Sequence, residues 1–319
     1  MIPFCRPGGT MTAPDYQALI DAPTWAFIAR TNSFYPPETA TFPIARQREI
    51  YDRMCQAFDN PYPPGVTSRD EAVAGVPCRI YPGRDPVVVY LHGGGYVVGG
   101  LHSHDAVCAD IRARTGLTVV SVDYRLSPEH LHPAAFDDAS AVIRALGAKG
   151  PVVLAGDSAG GNLCAAAAHA LRGSGVTILG QVLIYPGLGG AMDRGSYLTH
   201  ANAPMLTRDD VLFYKDIRHG APPPEGDATV SPLQDNDFSG LPPTLAIAAE
   251  CDPLADDAHD YAARITEAGG LAHAVTEPGL VHGYLRARHS VPRAAASFDR
   301  ITAAITAFAE TRWPFGGTP

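Results

Sequence analysis

The sequence predicts an α/β fold, a mostly parallel central sheet flanked by helices, and three observations carry that prediction. Short apolar runs rich in β-branched residues recur at 87–91, 117–122, 152–155, 180–184 and 244–248, as expected of strands buried on both faces. The segments between them place apolar residues at helical spacing. Two glycine-rich turns, His92-Gly93-Gly94-Gly95 and Gly156-Asp157-Ser158-Ala159-Gly160, each follow such a run directly. At 319 residues the chain is long enough for one large domain of this kind or for two small ones.

Taken in order, residues 14–60 mix polar and apolar positions and read as helical, broken at Pro36-Pro37 and by the prolines at 61, 63 and 64. Within them, segment 44–58 sets Ile44, Ile50, Tyr51, Met54 and Phe58 near one helical face. A turn-rich stretch leads to a short edge strand at 76–81 and the first buried strand at 87–91. A helix at 104–114, a strand at 117–122, a helix at 134–148 and a strand at 152–155 follow. An alanine-rich helix at 162–171 and a strand at 180–184 complete this series. The alternation breaks over 187–243, which is rich in Gly, Pro and Asp, holds one helix-like piece at 208–218, and reads as an insertion over the sheet. It resumes with a strand at 244–248, a helix at 256–268, a strand at 272–276 and a closing helix at 293–311.

The bulk numbers exclude several classes. Hydrophobic residues make up 46% of the chain, as in ordinary globular proteins. The formal net charge of −9, without a long basic run, argues against a nucleic-acid partner. No apolar stretch is long enough to span a bilayer, so no membrane partner is expected. The first sixteen residues lack the charged and apolar regions of a signal peptide, which makes a cytoplasmic protein the expectation, with Met1 and Met11 both open as starts. The six cysteines, Cys5, Cys55, Cys78, Cys108, Cys164 and Cys251, are scattered without a close pair, so reduced buried thiols are expected rather than a metal site.

Gly156-Asp157-Ser158-Ala159-Gly160 lies between a strand and a helix. There a serine can sit on a turn so tight that its hydroxyl projects above the sheet, with Gly156 and Gly160 where larger residues would collide. The helix that follows aims its N-terminus at the same place and favours developing negative charge. The upstream His92-Gly93-Gly94-Gly95 offers backbone donors unobstructed by side chains, so the N–H groups of Gly93, Gly94 and Ala159 are the candidate oxyanion hole. His92 reads as a brace for that loop. A phosphate-binding loop is disfavoured, because no P-loop lysine follows and the spacing is not G-x-G-x-x-G.

A serine nucleophile of this strand–turn–helix type takes its acid and then its base from farther along the chain. Asp252 falls at the end of the strand containing 244–248, and His282 in the loop 279–284, so Asp252 and His282 are the candidate acid and base. Glu250, Asp256, Asp257 and Asp260 are alternatives for the acid, with Asp256 also a candidate supporting carboxylate. His273 and His289 read as structural or solvated, and the H-x-H of His102 and His104 as a helix start rather than a metal site.

With these residues in view, the chain resembles the hormone-sensitive-lipase-like, or bacterial family IV, esterases of the α/β-hydrolase fold. The resemblance spans roughly 76–290. It includes the His92-Gly93-Gly94-Gly95 turn, Asp123-Tyr124-Arg125-Leu126-Ser127-Pro128-Glu129-His130, Gly156-Asp157-Ser158-Ala159-Gly160-Gly161, Asp252-Pro253-Leu254 and His282-Gly283. It implies hydrolysis of small-molecule carboxylic esters of short to medium acyl chain through an acyl-enzyme, with no cofactor and no metal. It further implies a helical cap, here an N-terminal cap segment at 1–60 and an insertion near 190–225, over a catalytic domain at 61–319. Many members of the family form homodimers through the last strand and nearby helices. The charged residues of the 123–130 segment are expected to brace the loops under the oxyanion turn.

Candidate pocket residues are Tyr96, Val97, Tyr185, Leu188, Leu206 and Phe213. The same triad also serves an amide, formamide or lactone hydrolase, and a non-catalytic small-molecule-binding protein on this fold is a further alternative.

Overall fold

The computed structural model describes residues 14–220 and 226–316. The start-site reading at Met1 and Met11, Cys5, and the outer ends of both expected cap segments lie outside these residues. An eight-stranded sheet runs through the molecule: β1 (Arg69–Val73), β2 (Val76–Tyr81), β3 (Arg84–Leu91), β4 (Leu117–Val122), β5 (Val152–Asp157), β6 (Ile178–Ile184), β7 (Thr244–Cys251) and β8 (Ala272–Val281). Its order is β1-β2-β4-β3-β5-β6-β7-β8. The first two pairings, β1 with β2 and β2 with β4, are antiparallel, and the rest are parallel. Parallel neighbours require crossover connections, which the intervening helices supply.

The period of two along each strand divides the core. Val88 and Tyr90 of β3, Val119 of β4, and Val153 and Ala155 of β5 face one apolar cluster, together with α4 (Asp105–Thr115) and α10 (Pro292–Ala309). Val89 and Leu91, Val120 and Val122, and Val152 and Leu154 face the other, with α5 (Ala134–Gly147), α6 (Ala159–Ala170) and α9 (Ala255–Glu267). Each of these strand side chains is at most 1% exposed, and burying one contributes roughly 1.5–3 kcal/mol for the large aliphatics. Sequences buried on both faces need no polar alternation, which is why these strands read as continuous apolar runs.

Two expectations are corrected. The strand at 76–81 is not the sheet edge: β1 pairs outside it through a two-residue turn in which Ala74 and Gly75 both take positive φ, at 53° and 83°. β1 is Arg-Asp-Glu-Ala-Val, exposed except at Val73, so it carries no apolar alternation, and its charges suit an edge that must not pair with other chains. The last strand also runs past 276 to Val281, with a register irregularity that brings Val281 opposite Cys251. The segment read as the loop 279–284 therefore begins inside the sheet.

The rim at the C-terminal ends of the parallel strands is overlaid by α1 (Tyr16–Leu19), α2 (Ala22–Asn32), α3 (Ile44–Ala57), α7 (Ser196–Thr199) and α8 (Arg208–His219). α2 and α3 bury Phe27, Ile28, Met54 and Cys55 in the first cluster. Arg48 of α3 donates from Nε to the Val97 carbonyl at 2.8 Å and from Nη2 to the Ser127 carbonyl at 2.9 Å, tying this helix to the loops after β3 and β4. The five cysteines among the described residues are free and buried. No helix of the described residues is long and apolar enough to cross a membrane.

Candidate active site

The chain leaves β5 at Asp157 and enters α6 at Ala159, and Ser158 bridges the two at φ 52°, ψ −118°. Its N–H donates to the Ile184 carbonyl at 2.8 Å, anchoring the turn to β6. A Cβ on Gly160 would run into the Leu91 carbonyl, and one on Gly156 would come within 2.6 Å of the Gly160 backbone. Only glycine permits α6 to seat this close to β3. Among the described non-glycine residues with positive φ, Tyr96, Ser158, Tyr185 and Met205 line a single cavity, so backbone strain gathers there.

Neighbouring strand ends β7 and β8 deliver Asp252 and His282 to the same rim. His282 Nε2 is 2.9 Å from Ser158 Oγ, and His282 Nδ1 is 2.7 Å from Asp252 Oδ2. Asp252 is 1% exposed and its other oxygen accepts the Leu254 N–H at 2.9 Å, which holds the carboxylate edge toward the imidazole. The Tyr185 ring packs 4.8 Å from the His282 ring.

The alternative carboxylates are turned elsewhere. Glu250 accepts the Gly279 N–H, Asp256 the Ser196 N–H, and Asp260 faces Arg194 at 3.8 Å. Asp257 accepts the N–H groups of Leu188 and Gly189 and the Tyr197 hydroxyl, and burial pushes its carboxyl up to about 7. His273 stacks on Phe315, and His289 meets Asp110 at 2.7 Å. His102 and His104 part ways, one to Asp52 and the other to Asp157, so they do not form a common metal site.

The glycine loop at 93–95 differs from the expected set of free donors at one position. The Gly93 N–H donates to Asp157 Oδ1 at 3.0 Å and is therefore not free to meet a substrate. Gly94 and Gly95 have N–H groups without an acceptor among the described residues, and Ala159, first in α6, has no intrahelical carbonyl to bond. The free donors are thus Gly94, Gly95 and Ala159.

Asp157 is the hub beneath this loop: its carboxylate also accepts the Tyr90 hydroxyl at 2.7 Å and contacts His104 Nε2 at 3.3 Å. Burial alone would raise this carboxyl, but His104, then the Arg286 charge and the Tyr90 hydrogen bond, outweigh it and hold it below the usual range. His92 braces the loop, with Nδ1 2.8 Å from the Gly93 carbonyl and its ring stacked on Tyr124 at 4.2 Å. Burial, with a smaller contribution from His104, depresses His92 to about 3 and keeps it neutral. Within 123–130 it is the uncharged Tyr124 that braces the loop, its OH donating to the His92 carbonyl at 2.6 Å, whereas the charged Arg125 pairs with Asp138 and Glu129 with Arg48.

A cavity of about 670 Å³ opens over Ser158 and His282. Of the candidate pocket residues, Tyr96, Tyr185, Leu206 and Phe213 line it, whereas Val97 and Leu188 do not. Both are fully buried in the core clusters, because the turns after β3 and β6 point them inward. Sequence reasoning missed Tyr51, Tyr214 and Arg286 on the cavity wall. Tyr214 shares a helical face with Val211 and Arg218, which also line it, so the 3.6-residue period of 208–218 held that signal. Nothing in the local sequence marks Arg286.

A family model described as alpha/beta hydrolase fold matches residues 88–286. The chain is 38% identical over 256 residues to carboxylesterase NlhH of Mycobacterium tuberculosis, covering 74% of this chain and 79% of that protein. It is 33% identical over 238 residues to an ethyl acetate hydrolase of Pseudomonas putida, covering 69% and 74%. Among solved structures, the hyperthermophilic esterase of Pyrobaculum calidifontis superposes with a TM-score of 0.81 at 30% identity, covering 91% of this chain and 99% of that one.

Proposed function

The chain belongs to the α/β-hydrolase fold family and, like its esterase relatives, is a carboxylic-ester hydrolase; we propose that it works by a Ser158-His282-Asp252 triad on esters of short to medium acyl chain. The observation that carries this reading is the continuous hydrogen-bonded line from Asp252 through His282 to Ser158, 2.7 Å and 2.9 Å long.

In the proposed sequence, Ser158 Oγ attacks the ester carbonyl while His282 Nε2 takes its proton. Asp252 holds Nδ1–H, fixing the tautomer and stabilising the imidazolium. The oxyanion is met by the N–H groups of Gly94, Gly95 and Ala159, aided by the N-terminus of α6. His282 then protonates the departing alkoxide, which leaves as the alcohol. Water, deprotonated by the same nitrogen, attacks the acyl-serine, and collapse returns Ser158 and the carboxylic acid.

In this reading the helices of 16–57 and 196–219 form the cap, and the aromatic wall of Tyr51, Tyr96, Phe213 and Tyr214 bounds the acyl and alcohol groups. A relative named for ethyl acetate supports small esters. The test is hydrolysis of p-nitrophenyl esters from acetate to palmitate by wild type and Ser158→Ala. Activity peaking at short chains and lost in a folded variant is expected. A variant keeping most of its activity would refute the assignment, and a peak at long chains would remove the acyl-length proposal.

A further inference from the structure

Four residues beyond His282, Arg286 places a guanidinium on the wall of the cavity that holds Ser158. Its surroundings are protein on every side except the cavity. Nη2 donates to the Tyr51 hydroxyl, Nη1 lies 3.5 Å from where a Gly283 Cβ would sit, and Cys55 and Tyr185 are near neighbours. A guanidinium has five N–H donors; the Tyr51 hydroxyl and the Cys55 thiol engage part of this fork and the Tyr51 ring lies 5.1 Å from its carbon, while Nε is buried and without an acceptor.

The charge also has no direct ion pair, and Asp157 acts on it only at longer range. No carboxylate of the described residues lies within ion-pair distance of Arg286, whereas Arg79, Arg125 and Arg288 each have one at or below 2.8 Å. The nearest influential anion, Asp157, is already taken up by Tyr90, Gly93 and His104. Asp209 and Asp210 also border the cavity but are exposed in the first turn of α8, and Asp210 is held in its capping box by Thr207. The surroundings of Arg286 keep this partly buried guanidinium charged, and donors left without an acceptor at the cavity wall are free to meet an anion.

We propose that Arg286 is a carboxylate-binding residue of the active cavity, and that the preferred substrates are esters carrying a second, free carboxylate. This rests on the ester-hydrolase reading of the same cavity. The planar fork of the guanidinium suits a carboxylate, which would supply the missing direct ion pair while the ester carbonyl sits at Ser158 beside Gly283. The carboxylate can be carried by the acyl half or by the alcohol half, and the two cases separate experimentally.

The experiment compares p-nitrophenyl hydrogen glutarate with p-nitrophenyl pentanoate, for an acyl-side carboxylate, and acetoxyacetate with propyl acetate, for an alcohol-side one. At least one carboxylate ester is expected to exceed its neutral counterpart in kcat/KM by about tenfold or more. In Arg286→Gln that ratio is expected to fall roughly ten- to hundredfold, the usual worth of a charge-assisted bond, with part of it restored in Arg286→Lys. Wild type preferring both neutral esters, or a ratio unchanged in a folded Arg286→Gln, overturns the proposal; if the variants do not fold, the wild-type ratios decide alone. Cleavage of none of the four esters is a failure of the hydrolase reading instead. In that case calorimetric titration of glutarate into wild-type protein decides the site, and no binding at millimolar concentration overturns it.

Discussion

A single carboxylate separates two chemically similar candidates at the residue scale. Asp252 and Asp256 are four residues apart, both on the rim, and both acidic. Asp252 touches His282 Nδ1, whereas Asp256 accepts the N–H of Ser196 and receives nothing from the imidazole. Asp252→Asn is expected to lower kcat by up to ~10⁴ with KM little changed, because the amide would favour the wrong tautomer of His282. Asp256→Asn is expected to lower the melting temperature, through its contact with α7, and to change kcat much less. Steady-state kinetics on one short ester, run beside a thermal melt, distinguishes the pair, and the reverse pattern would move the acid to Asp256.

Between elements, the contacts that matter join the helices over the rim to the loops beneath them. Arg48 is half-buried and reaches two backbone carbonyls as well as Glu129, whose side chain is 53% exposed. The ion pair with an exposed partner contributes little, while leaving the Val97 and Ser127 carbonyls unpaired costs about 1–3 kcal/mol. Glu129→Gln is therefore expected to be nearly silent, and Arg48→Met to lower stability by roughly that amount and to raise KM severalfold, since the Val97 carbonyl belongs to the turn that carries Gly94 and Gly95. Denaturant titration and KM for both variants provide the comparison. Equal effects of the two would mean that the charge, not the carbonyl bonding, ties α3 to the loop.

Over the whole molecule, the buried histidine behind the glycine loop at 93–95 links folding to pH. His92 is held neutral down to about 3, whereas an unfolded histidine protonates near 6.5. Between those values the unfolded chain binds the extra proton, so unfolding free energy rises with pH and is lost as the solution is acidified. His219, lowered to about 4 by burial and then by Arg218, acts in the same direction. His92→Asn is expected to flatten the stability slope between pH 4.5 and 6.5 by up to ~1.4 kcal/mol per pH unit, the value for one proton. Unfolding titrations across that window measure it, and an unchanged slope would show that His92 is not the group responsible.

The α/β architecture, the serine turn and the strand end that carries Asp252 were legible in the sequence, and so was His282 as a residue of the rim, though the strand that delivers it runs on to Val281 rather than ending at 276. Burial on both faces forces continuous apolar runs, and a turn this tight forces glycine at 156 and 160, so both leave local marks. What the sequence could not show depended on where chain segments meet. β1 is too polar and exposed to signal a strand, and it exists only because β2 offers it a ladder. Gly93 lost its place among the free donors because Asp157, 64 residues later, takes its N–H. Val97 and Leu188 turned into the core, while Tyr51, Tyr214 and Arg286 came to the cavity from three separate elements. Hydrophobic periodicity and turn chemistry act over a few residues and can be read one residue at a time. The pocket wall and the partners of its charges arise from contacts between distant residues, and only the packed molecule decides them.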